Sequence, residues 1–159
     1  MNDVRRVAII GGNRIPFARS NTVYSQASNH EMLTVTLQGL VDRFNLHNAC
    51  IGEVAGGAVM KHSKDFNLVR ESVLSTSLAP ETPAFDLQQA CGTGLEACIL
   101  VANKIALGQI ESGIACGVDS TSDAPIAINE KMRRILLQVT GAKSTGQRLS
   151  ILSKLRPSM

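Results

Sequence analysis

Between residues 4 and 118 a strand-like run is followed by a helix-like run again and again, and this alternation constrains the fold more than any other feature. Val4–Ile10 (Val-Arg-Arg-Val-Ala-Ile-Ile) reads as a buried strand that ends at Gly11-Gly12-Asn13. Ser28-Asn29-His30-Glu31 has the form of a capping box, and the helix it opens carries Leu33, Leu37, Leu40, Val41 and Phe44 at the 3.6-residue period. Glu53–Met60 is the second predicted strand; Phe66–Leu78 is the second helix, capped by Asp65 and stopped by Pro80. A third strand over 83–88 runs into a helix from Gly92 to Leu107, whose expected buried face is Leu95, Cys98, Ile99, Ala102, Ile105 and Ala106. Ser112–Val118 is the fourth strand, followed by the polar turn 119–123. Repeated alternation of this kind implies an α/β fold with a mostly parallel sheet and helices on its faces. Chemistry in such sheets gathers at the carboxyl ends of the strands.

A chain of 159 residues can bury a core, and 44% hydrophobic with 18% charged residues is too apolar for disorder. No apolar run approaches the ~20 residues of a membrane span, and no signal-peptide core precedes the first strand, so the expectation is a cytoplasmic protein. Charge is unevenly placed. From Lys131 onward there are seven Lys/Arg (131, 133, 134, 143, 148, 154, 156) and no acid; the first 130 residues hold nine basic against thirteen acidic, −4, and 7 − 4 gives the net +3. A basic tail on an acidic body suits phosphates, an anionic surface or an acidic partner, or is simply a solvated helix face. Beyond Ala124 the strand–helix alternation stops, and residues 126–156 read as the opening of an insertion or cap.

The four cysteines, at 50, 91, 98 and 116, form no Cys-x-x-Cys pair, and the histidines at 30, 47 and 62 show no metal spacing. Neither a zinc site nor a disulfide framework is expected, and the histidines read as surface or capping residues. Cys91 stands apart. It sits where strand 83–88 gives way to Gly92-Thr93-Gly94, beside the unpaired N–H groups and positive dipole end of a helix. That setting favours thiolate, the form that attacks carbon, and the flanking glycines let a substrate carbonyl approach. A buried structural cysteine is the alternative, but a glycine-flanked helix start is a poor place to fill a core. Cys98, seven residues on, is read as packing.

Gly11-Gly12 and Gly56-Gly57 each follow a strand, yet neither continues as Gly-x-Gly-x-x-Gly. Tight turns or close backbone packing are the preferred reading. The corner Ala90-Cys91-Gly92-Thr93-Gly94 occupies the place that a Gly-x-Ser-x-Gly nucleophile elbow takes in other α/β enzymes.

With those residues in view, Gln89-Ala90-Cys91-Gly92-Thr93-Gly94-Leu95-Glu96-Ala97 resembles the nucleophile segment of thiolases, Cys-Gly-Ser-Gly-x-x-Ala. Asn13-Arg14-Ile15-Pro16-Phe17 resembles the Arg-Thr-Pro-Phe after their first strand, and Asn67-Leu68-Val69-Arg70 the Asn-x-x-Arg of their second helix. Gly117-Val118-Asp119-Ser120-Thr121-Ser122 is similar to their Gly-Gly-x-Glu-Ser-Met-Ser region, with Asp for Glu. The four segments fall in family order across residues 4–125. Gln147-Arg148-Leu149 and Lys154-Leu155-Arg156 resemble the start of the loop domain in thiolases that act on longer acyl chains. The resemblance implies the N-terminal thiolase fold over 1–124, lacking its last strand, and the truncated start of the loop domain over 125–159.

The same resemblance implies an acyltransferase of fatty acid metabolism, an acetyl-CoA acyltransferase or 3-ketoacyl-CoA thiolase. Cys91 would be the acyl-thioester nucleophile, its backbone N–H one oxyanion donor. Coenzyme A and acyl-CoA would be substrates rather than bound cofactors, with Lys143 and Arg148 as candidate contacts to the coenzyme A phosphates. A homo-oligomer (dimer or tetramer) or a fatty-acid-oxidation complex is implied, with membrane contact by the basic tail possible and no nucleic acid expected. The family's Gly-His-Pro, Cys-x-Gly-Gly-Gly and Asn-Glu-x-Phe segments do not occur in these 159 residues, so the general-base histidine and second catalytic cysteine are missing and the chain alone is expected to be inactive. A ketoacyl-synthase-type condensing enzyme and a non-catalytic module binding acyl-CoA or a partner are the alternatives. Gly92-Thr93-Gly94 favours thiolase over the Ala-Cys-Ser-Ser of the former.

Overall fold

The computed structural model describes residues 4–155; Arg156, one of the seven basic residues of the tail, lies outside them. The chain divides into two compact units, Met1–Pro125 and Ile126–Met159. The first contains, in order, α1 (Asn29–Phe44), β1 (Val54–Gly56), α2 (Leu68–Leu74), β2 (Ala84–Asp86), α3 (Thr93–Ala106) and β3 (Ile114–Ala115). The strands form a parallel sheet of order β2-β1-β3, with Val54 opposite Ala84 on one side and Ile114 on the other. A mixed α/β fold with a parallel sheet is therefore what the alternation predicted. Pairing runs past the short β3: the N–H groups of Ile114, Cys116 and Val118 donate to Glu53 O, Ala55 O and Gly57 O at 2.9, 2.9 and 3.1 Å.

Helix α1 starts where the capping box predicts. The Ser28 side chain accepts from Glu31 N, and Glu31 returns a bond from Ser28 N at 2.8 Å. Its Leu33, Leu37 and Val41 meet Val54, Leu68, Val69, Val73 and Ile114 in the main core. On the other face of the sheet, Ala97 and Val101 of α3 pack on Ala55 in a smaller cluster.

Three expectations are corrected. Val4–Ile10 forms no strand: Ile9 and Ile10 are 92% and 86% exposed, because the segment is held at its ends and meets no strand edge. Arg5 N donates to Ala106 O at 3.0 Å, Arg5 pairs with Glu111 at 2.6 Å, and Arg43 reaches Gly12 O at 2.8 Å. Helix α2 is shorter than Phe66–Leu78, and Asn67 precedes it without a side-chain cap; Asp65 accepts instead from His62 N. Helix α3 buries Thr93, Ala97 and Val101, while Leu95, Cys98 and Ile99 face outward. Apolar residues spread over more than one face of α3 leave its inner face ambiguous; the small residues decide it, since α3 lies so close to the sheet that a Cβ on Gly113 would meet Val101 at 2.5 Å.

In the second unit α4 (Glu130–Gly141) and α5 (Thr145–Leu152) form a helix pair. Asn129 and Ser144 cap them, accepting from Met132 N and Gln147 N. Glu130 chelates Arg133 and Arg134 at 2.8 Å, and the two guanidiniums hold its carboxyl down at about 2. No helix among the described residues is long and apolar enough to cross a membrane.

Candidate active site at the Cys91 corner

The strand-to-helix corner is built by its own hydrogen bonds. Gln89 N donates to Thr93 Oγ1 at 2.9 Å, and Thr93 Oγ1 donates to Ala90 O at 2.8 Å. Gly92 N bonds Gln89 O at 2.9 Å and Thr93 N bonds Ala90 O at 3.2 Å. To make this bend Ala90 takes φ +45°, a left-handed conformation that non-glycine residues rarely adopt. Strain of this kind clusters at functional sites. The result leaves Cys91 exposed, two residues ahead of α3.

The first full turn of α3 begins with Glu96 N bonded to Gly92 O, and Gly92 offers no side chain as a cap. Among the described residues, the N–H groups of Cys91, Gly94 and Leu95 have no protein acceptor. A cysteine thus stands beside free donors at the start of a fourteen-residue helix, an arrangement suited to meeting a thioester carbonyl and holding the charge that develops on its oxygen. No side chain among the described residues is hydrogen-bonded to Cys91 Sγ.

The other cysteines differ. Cys116 directly follows β3 with its Sγ 3.5 Å from Ala55 O of β1; burial first, and the Asp86 carboxylate second, push its thiol up to about 12. Cys50 and Cys98 are exposed, so Cys98 is not the packing residue expected.

Gly56 and Gly57, beneath the corner, are packing glycines, whereas a Cβ on Gly94 would meet nothing within 4 Å. A Cβ on Gly57 would collide with Leu87 O, and one on Gly56 would collide with Cys116 Sγ. A Cβ on Gly117 would rest 3.6 Å from Gly94 Cα, so β3 and the start of α3 nearly touch. These approaches bring the carboxyl ends of all three strands under the Cys91 corner. Gly56-Gly57 is accordingly close packing and not a nucleotide turn. A cavity of about 620 Å³ lies beside β3, between Cys116, Leu37 and Phe17; Gly94 borders it and Cys91 does not.

The remaining motif residues have structural partners. Arg70 clamps Thr82 O at 2.7 Å and Pro80 O at 2.9 Å, and Asn13 reaches Thr36 O at 3.0 Å. Asp119 accepts from Val59 N and Met60 N at 3.0 and 2.8 Å. Of the histidines, His62 contacts Asp123, while His47 and His30 reach Ser77 and Ser75. In the second unit Lys143 and Arg148 flank the start of α5, Arg148 Nε donating to Ala142 O at 3.3 Å. Sequence reasoning missed the Ala90 bend and the Asp119 bonds. An alanine carries no φ signal, and the pairing of residues 59 and 119 is visible only after folding.

A parallel sheet presenting a cysteine on a strained corner before a helix defines an α/β protein, and the pattern of the thiolase N-terminal domain matches residues 7–152. The chain belongs to the thiolase family. It is 35% identical over 150 residues to a 3-ketoacyl-CoA thiolase of Colwellia psychrerythraea, covering 94% of this chain and 34% of that protein. It is 34% identical over 154 residues to the human mitochondrial trifunctional enzyme subunit beta, covering 97% of this chain and 32% of that one. The crystal structure of the Bacillus anthracis acetyl-CoA acetyltransferase superposes on it with a TM-score of 0.65 at 22% identity, covering 76% of this chain and 29% of that one, a likeness of fold. The chain spans about a third of the length of the relatives it matches.

Proposed function

We propose that this chain carries the nucleophile of a thiolase, with Cys91 accepting an acyl group from a coenzyme A thioester or a 3-ketoacyl-CoA. The Cys91 sulfur attacks the carbonyl carbon and a new carbon–sulfur bond forms. With an acyl-CoA, the bond to the coenzyme A sulfur breaks and that sulfur leaves with a proton; with a 3-ketoacyl-CoA, the bond between the second and third carbons breaks and the released acetyl-CoA carbanion takes the proton. A second coenzyme A thiol then removes the acyl group, so one hard displacement becomes two easier ones. The observation that supports this most is the placement of an exposed cysteine on a left-handed corner among N–H groups without acceptors.

The whole reaction needs a base to deprotonate the nucleophile and the incoming thiol. No imidazole among the described residues meets Cys91, so this stretch by itself is expected not to turn over acetoacetyl-CoA. Turnover that Cys91→Ala abolishes would contradict that. The direct test of the nucleophile is incubation with acetyl-CoA followed by peptide mass spectrometry. The acetyl group is expected on Cys91 in preference to Cys50 and Cys98; equal labelling of the three, or labelling of the other two alone, contradicts the assignment.

For the basic tail we propose contact with phosphates, those of coenzyme A first, through Lys143 and Arg148 at the start of α5. Coenzyme A affinity is expected to fall as salt rises and to fall again in the double variant Lys143→Ala/Arg148→Ala. Equal affinity in the double variant would remove these two residues from the site. The trifunctional enzyme subunit among the relatives supports assembly into a fatty-acid-oxidation complex, where the same basic surface could meet an acidic subunit or an anionic membrane.

A further inference from the structure

The loop that follows β1 is held at four consecutive residues, 59–62, by contacts to α1, to β2 and to the turn 119–123. Val59 N and Met60 N both donate to the Asp119 carboxylate, at 3.0 and 2.8 Å. Met60 O accepts from Asn29 Nδ2 of α1 at 2.7 Å, and Asn29 is 1% exposed. Lys61 Nζ pairs with Asp86 of β2 at 2.8 Å, and His62 Nε2 meets Asp123 O at 2.9 Å. Three separate parts of the fold thus converge on one short loop. What leans on this loop is the Cys91 corner. Val59 O accepts from Gln88 Nε2 at 3.3 Å, three residues before Cys91, and a Cβ on Gly57 would touch Thr93 Cγ2 at 3.3 Å.

We infer that Asp119 is a positioning residue for the nucleophile: its carboxylate fixes the Val59–Met60 backbone, and that backbone holds the Gln88 side of the Cys91 corner. The inference rests on Cys91 being the nucleophile, as proposed above. Asp119 touches no reacting atom. It acts through two charge-assisted N–H bonds that a neutral side chain supports less well. Its place just past Val118, the last residue paired with the β1 segment, couples the stretch after β3 to the loop beneath the corner, so the left-handed turn at Ala90 is held from below as well as by Thr93.

The test compares the intact chain with Asp119→Ala and Asp119→Asn, by amide hydrogen exchange and by the iodoacetamide rate at Cys91, with Cys50 and Cys98 in the same molecule as references. In Asp119→Ala, faster exchange is expected at Val59 and Met60 and also at Gln89, Gly92 and Thr93, while α1 amides keep their protection. The Cys91 alkylation rate, relative to Cys50, is expected to fall severalfold. Asp119→Asn retains one acceptor oxygen and should restore most of both. Loosening confined to Val59 and Met60 with the corner unchanged would overturn the positioning role. If Cys91 in the unsubstituted chain reacts no faster than Cys50, the nucleophile reading fails instead, and the exchange data still decide whether Asp119 holds the corner.

Discussion

At the scale of single residues, four cysteines of one chemical type have been given different fates by their surroundings. Cys116 is kept as a thiol by burial, with a pKa raised to about 12, so thiolate forms on it far above neutral pH. The sign follows: the native state holds the Cys116 proton above the ordinary thiol pKa, while the unfolded chain gives it up. Stability is therefore unaffected by this group below about pH 9 and declines as pH rises from there toward 12. Denaturant titrations at pH 8 and pH 10.5 should show that loss, and Cys116→Ser should shrink it; an unchanged difference between the two pH values in the variant would mean another group is responsible. A thiol reagent at pH 8 should modify Cys50, Cys91 and Cys98 in the folded protein faster than the half-buried Cys116. Position told the reader of the sequence that Cys91 was special, because glycines and a helix start surround it. It could not tell that Cys116 was the half-buried one and Cys98 the exposed one, since both sit in apolar runs of similar look.

At the scale of elements, what local chemistry specifies was legible and what neighbours specify was not. Ser28 and Glu31 write the start of α1 into four adjacent residues, and the helix begins there. Ser28→Ala is expected to cost about 1 kcal/mol in a urea titration, the usual worth of such a cap. Leu33→Ala, which opens a cavity in the main core at a residue only 1% exposed, should cost ~2–5 kcal/mol. Val4–Ile10 illustrates the converse. Its composition is that of a buried strand, but a strand forms only by pairing, and the segment pairs with none of the three strands, being tied instead to Ala106, Glu111 and, through Gly12, to Arg43. Ile9→Lys should accordingly change stability by no more than ~0.5 kcal/mol, the range of surface substitutions. A loss of several kcal/mol would show that Ile9 is buried in solution. Helix α3 was located correctly and its inner face was not, because Leu95 and Ile99 are as apolar as Ala97 and Val101 and only the close approach of Gly113 selects the smaller pair.

At the scale of the molecule, β3 leaves its outer edge unpaired. Ile114, Cys116 and Val118 spend their N–H groups on β1, while those of Ala115 and Gly117 have no acceptor among the described residues. An open edge beside exposed apolar residues such as Phe17, at 90%, favours association. The weight-average mass in light scattering is expected to rise with concentration; a concentration-independent monomer would contradict this. The family motifs were readable because each is a short local pattern, whereas the fit of those patterns into one corner depends on strands brought together from residues 54, 84 and 114. That corner is the heart of the account, and one rate constant probes it. Iodoacetamide at neutral pH, followed peptide by peptide, should modify Cys91 severalfold faster than Cys50 and Cys98 of the same folded chain, because its sulfur alone stands at the strained corner beside N–H groups without acceptors. Equal rates at the three exposed cysteines would contradict the assignment of Cys91 as the nucleophile.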